Sequence, residues 1–137
     1  MLDQKPKTRG WIARLIILVY VLCLLVGTST HAYQIWVGGW LPYKTVPAPV
    51  NIYWTLLVIA DFIAVVFLFW RPRVGIVFTV LIMISDVIIN SYVLYGLKLG
   101  SLPWLELQSL FLGFVVGSAA FVWLEIKHAW SIQSASR

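Results

Sequence analysis

Four long apolar stretches, at residues 11–37, 51–70, 74–95 and 103–126, take up most of this 137-residue chain. Each reaches the roughly 20 residues with which a helix crosses ~30 Å of hydrocarbon. Backbone in lipid has no water to bond, so stretches of this kind satisfy their own amides as helices. Composition agrees: 61 % of residues are hydrophobic and 11 % charged, where a soluble domain carries about 25 % charged. That surplus is too great to bury in one small globule. Breakers separate the stretches. Gly38-Gly39-Trp40-Leu41-Pro42, followed by Pro47 and Pro49, cannot continue a helix; Arg71-Pro72-Arg73 predicts a tight charged turn, and Gly96 to Pro103 another. The expectation is a single all-α transmembrane domain, an integral membrane four-helix bundle running up-down-up-down.

Lysine and arginine set its orientation. Lys5, Lys7, Arg9 and Arg14, then Arg71 and Arg73, then Lys127 and Arg137 fall on one side, against Lys44 and Lys98 on the other. The positive-inside rule predicts that both termini are cytoplasmic (N-in/C-in). Trp11, Trp70, Trp123 and Trp130 then belong to the inner interface, and Trp36, Trp40, Trp54 and Trp104 to the outer one, where amphipathic rings settle. Because the basic residues sit at segment ends, the net charge of +5 reports topology and not nucleic-acid binding. A cleaved signal peptide ending near Thr30-His31-Ala32 is a competing reading of the first stretch, whose apolar run is at the long end for a signal. Cys23 is the one cysteine, so the chain has no disulfide framework or CxxC redox pair.

Against this apolar background stand Asp61 and Asp86, near the middle of the second and third stretches. A carboxylate at that depth costs about 2.5–3.5 kcal/mol on insertion scales, and such residues mark sites by default. Both lie roughly 14 Å from the outer ends of their helices at 1.5 Å per residue. Asn90, four residues after Asp86, stacks on the same face. Tyr20, Gly27, His31, Gln34 and Gly38 share one stripe of the first helix, and Glu106, Ser109, Gly113, Gly117 and Ala120 one stripe of the fourth. The inner half is nearly all apolar. These placements predict a polar funnel open outward and closed inward. Local explanations compete for some members: the helix dipole favours Glu106 in a first turn, Gly113-x-x-x-Gly117 suits close helix packing, and the acids with Asn90 could be interhelix glue.

Paired carboxylates in low dielectric titrate as a coupled unit. They could bind a cationic or hydroxylated amphiphile whose tail lies along Trp54, Tyr92 and Trp104, or carry protons in a transport cycle. Metal spacings such as HxxxH or ExxH are missing from the sequence, and so is a GxSxG elbow. The leading expectation is therefore a binding protein without catalytic residues, metal or cofactor. Asp61 and Asp86 would be charge partners, Asn90 and Glu106 orienting groups, His31 an entrance residue, and Trp54 and Tyr92 tail contacts. The alternatives are an accessory or assembly subunit of a larger membrane complex, and a proton-coupled transporter acting as a homo-oligomer. Membrane lipids are partners in every case.

The stretch from Asn51-Ile52-Tyr53-Trp54 through Asp61 and Arg71-Pro72-Arg73 to Ser85-Asp86-Val87-Ile88-Ile89-Asn90-Ser91-Tyr92 resembles a group of small bacterial four-span membrane proteins. That resemblance implies a bacterial inner-membrane location and no particular chemistry. In layout the chain is also similar to the EXPERA family, which includes sterol isomerases and sigma-2-type ligand-binding proteins. A His after the first apolar run and an acid in the second, here His31 and Asp61, correspond; the acid is Asp where that family has Glu, and the first loop differs. This likeness implies a pocket for amines or sterols.

Overall fold

The computed structural model describes residues 8–135, with side chains described for residues 10–126. The side chains of Lys5, Lys7, Arg9, Lys127, Trp130 and Arg137, singled out above, lie outside the described residues. The protein is an all-α four-helix bundle: α1 (Thr8–Gly38), α2 (Ala48–Trp70), α3 (Pro72–Ser91) and α4 (Leu102–Ala135). All four helices are long and apolar enough to span a membrane. Consecutive helices pack side by side, and α1 meets α4 along the loosest seam.

The connections follow the breakers, with two refinements. The α2–α3 corner is a single residue, Arg71, because Pro72 starts α3 instead of ending a turn. Proline lacks the N–H that a first turn leaves unpaired, so it serves as a helix start. The corner closes with Arg71 N–H donating to the Phe67 carbonyl at 2.8 Å and Gly75 N–H to the Arg71 carbonyl at 3.0 Å. At its other end α3 widens into a π-helical turn, Tyr92–Gly96, in which Leu97 N–H donates to the Tyr92 carbonyl at 3.1 Å.

Position in the bundle sorts the aromatic and basic residues. Trp36, Trp40, Trp54 and Trp104 belong to the end holding the 39–47 and 97–101 connections, and Trp11, Trp70 and Trp123 to the end near the termini. There Arg71 stacks over Trp70 at 5.9 Å and Arg73 over Trp123 at 5.6 Å. The half of the bundle nearer the termini is packed solid around Leu24, Ala64, Leu68, Ile76, Val115 and Val122. It is less purely apolar than expected. Tyr20 is completely buried in it, donating to the Val115 carbonyl at 3.0 Å with Ser118 Oγ at 2.7 Å. Its ring meets Phe111 and Phe114 edge-on. The phenol thus pins α1 to α4 below the open half of the bundle.

Candidate functional site

The α1 stripe places Gly27, His31 and Gln34 toward the bundle interior, and α2 and α3 place Trp54, Asp61, Asp86 and Asn90 opposite them. Between them lies a cavity of about 630 Å³, within the ~300–1,000 Å³ of small-molecule sites. It runs from the 39–47 and 97–101 connections to mid-bundle and stops above Tyr20.

Both acids are buried, Asp61 at 5 % and Asp86 at 8 % exposure. Asp86 is tied down: Asn90 Nδ2 donates to its Oδ1 at 2.7 Å and to its backbone carbonyl at 2.8 Å, as the four-residue spacing implies. Asp61 receives no hydrogen bond from a described residue, and its carboxyl lies against α1 where Gly27 makes room. A Cβ at Gly27 would stand 2.7 Å from Asp61 Oδ2. Across the cavity, Gln108 Oε1 is buried without a partner among the described residues. An unpaired buried polar atom is costly, so Gln108 Oε1 and the Asp61 carboxyl facing it across the cavity mark where an occupant would bond. Among the described residues no Lys or Arg lines the cavity, which suits a donor-bearing occupant better than an anion.

The loop over this end is fixed by Asn51, itself buried at 7 % exposure. Its Oδ1 accepts from Tyr43 N–H at 3.2 Å, and its Nδ2 donates to the Leu41 carbonyl at 3.1 Å. Leu41 is held at φ 59°, a conformation unfavourable for a branched side chain. The result aims Tyr43 into the cavity, where its hydroxyl and His31 Nδ1 are hydrogen-bonded at 2.6 Å and its ring meets Trp54 at 4.9 Å. Burial, with the negative charge of Asp86 adding to it, pushes the Tyr43 phenol up to about 12. It is therefore protonated at neutral pH. Replacing Asn51 with Leu strands two backbone groups and is expected to cost about 2 kcal/mol, read as faster proteolytic cleavage within 39–47 while the helices stay intact.

Two of the residues expected at the site lie elsewhere. Glu106 is exposed and borders a separate shallow surface depression with Tyr95, Ser109 and Leu110. Tyr92 is 52 % exposed, and its ring lies over Gly96. The α4 stripe is turned by one residue, about 100° on a helix of 3.6 residues per turn. Leu105, Gln108, Val115, Ser118 and Val122 face inward, whereas Gly113 and Gly117 have open space around them. Those glycines therefore do not mediate packing within the bundle. Tyr43, Gln108 and Trp104 join His31, Trp54, Asp61, Asp86 and Asn90 around the cavity. Among the described residues no three His, Cys, Asp or Glu side chains gather as a metal set.

In comparisons with protein-family models, curated proteins and solved structures, the chain matches none of them. The resemblances drawn above rest on the quoted residues alone.

Proposed function

We propose that this chain is a bacterial inner-membrane protein, both termini cytoplasmic, whose cavity binds a lipid-like or cationic small molecule from the outer side. Asp61 and Asp86 are the charge partners, Asn90 orients Asp86, and His31 with Tyr43 forms the roof. The observation that carries this reading is the unpartnered carboxyl of Asp61, buried beside a cavity of about 630 Å³ that Asp86 also lines. The arrangement of basic residues and tryptophans supports the orientation.

The test uses dodecylamine, with dodecanol and dodecanoate as neutral and anionic counterparts, titrated onto the protein in lipid nanodiscs. Trp54 and Trp104 line the cavity and serve as fluorescent reporters. The amine is expected to bind tightest and the carboxylate weakest. Asp61→Asn and Asp86→Asn should each weaken the amine about tenfold, the loss of one charge-assisted contact worth ~1.4 kcal/mol. Equal affinity of both variants and the native protein for every probe would remove the acids from this role.

One observation favours the assembly-subunit reading as the second choice. On α4 the residues Glu106, Ser109, Gly113 and Gly117 are all exposed along one stripe, the type of surface a neighbouring helix covers. Recovery of a stoichiometric partner on mild solubilisation, lost with Gly113→Leu, is the result that reading requires.

A further inference from the structure

The walls of the cavity are unequal. On the α2–α3 side its lining is closed: Leu57, Asp61, Met83, Asp86 and Val93 are all buried. On the α1–α4 side the lining residues also face outward, with Leu22 at 54 %, Val26 at 66 %, Trp104 at 63 % and Leu107 at 58 % exposure. A residue can line a cavity and be exposed at once only at a rim. The rim coincides with the seam along which α1 and α4 pack least closely. On α1 the cavity lining extends from Leu22 to Gln34, roughly 18 Å at 1.5 Å per residue. That is about the thickness of one leaflet of a ~30 Å hydrocarbon core.

Polarity is graded across the opening. The rim is apolar at Leu22, Val26 and Leu107, and the two carboxyls stand on the closed wall facing it, with Gln108 Oε1 unpartnered. An occupant arriving sideways meets hydrocarbon first and acceptors last. At the outer end Thr30, Gln34, Gly100 and Ser101 continue the rim, exposed and more polar, beside the 39–47 loop and Tyr43 that Asn51 holds in place. From this geometry we infer that the α1–α4 seam is a lateral portal through which a bilayer-resident, single-chain amphiphile with an amine head enters. Its head reaches the acids while its tail stays in the seam between α1 and α4. This inference rests on the binding reading and adds the route and the chain.

The experiment uses a dodecylamine carrying a diazirine at mid-chain, irradiated with the protein in nanodiscs, with excess unlabelled dodecylamine as competitor. Competable labelling at Leu22, Val26 or Leu107 is the expected result. In parallel, Val26→Trp with Leu107→Trp, both at exposed positions, should weaken dodecylamine at least tenfold without changing the melting temperature. Competable labelling confined to Tyr43 and the 97–101 connection, with the double variant binding normally, would overturn the portal and leave the pocket standing. Absence of any competable labelling, together with absence of a fluorescence response, would overturn the binding reading itself.

Discussion

Replacing Gly75 with Ala is expected to cost about 3 kcal/mol, at the upper end of what overpacking usually does, and to lower the melting temperature in detergent more than Gly27→Ala, Gly113→Ala or Gly117→Ala. A Cβ at this position would stand 2.5 Å from the Leu68 nitrogen, 2.7 Å from the Leu68 Cα and 2.8 Å from the Phe67 carbonyl carbon. All three are backbone atoms of α2, so no side-chain rotation relieves the contact. The α2–α3 corner has one connecting residue and no slack with which to separate the helices. Thr79, completely buried, adds to the crowding by donating to the Gly75 carbonyl at 2.8 Å. An unchanged melting temperature for Gly75→Ala would mean that the two helices stand farther apart than described.

Gly27 gives the opposite outcome. The nearest atom to an added Cβ is the far end of Asp61, at 2.7 Å, and a carboxyl can turn aside. Gly27→Ala should therefore leave stability within about 1 kcal/mol of the native protein. Gly27→Leu goes further: it displaces the carboxyl and fills cavity volume beside it. Its expected effect is a loss of dodecylamine affinity of about a hundredfold, or ~2.8 kcal/mol at 1.4 kcal/mol per decade, with the helical circular dichroism retained. Native affinity in Gly27→Leu would show that the amine does not occupy the space next to Asp61.

Much of the fold is legible because lipid imposes it. Four stretches of sufficient length, separated by Gly and Pro, leave little choice, and the structure starts and stops its helices within a few residues of those limits, except that α4 runs nine residues further, to Ala135. The α1 stripe is legible too, since Gly27, His31 and Gln34 stand out from apolar neighbours at helical spacing. On α4 the same reasoning picks the wrong face. A helix apolar nearly all round does not announce its phase, and Glu106 with the two glycines gave a plausible stripe one residue away from the inward one. Gln108 and Ser118 share the inward stripe and carried the better signal. Tyr92 is misplaced for a simpler reason: two residues after Asn90 on a continuous helix, it points about 200° away from it. Tyr43 was out of reach of periodicity altogether, because it sits in a loop whose course depends on the distant side chain of Asn51.

The one-residue corner at Arg71 also bears on biosynthesis. With no loop to separate them, α2 and α3 are expected to enter a bilayer together, as a hairpin, with the two carboxyls on the same side of it. Neither helix need face lipid alone carrying an acid that costs ~2.5–3.5 kcal/mol at the midplane. A spacer inserted after Arg71 would uncouple the pair, and translocation would then have to accept each charged helix separately.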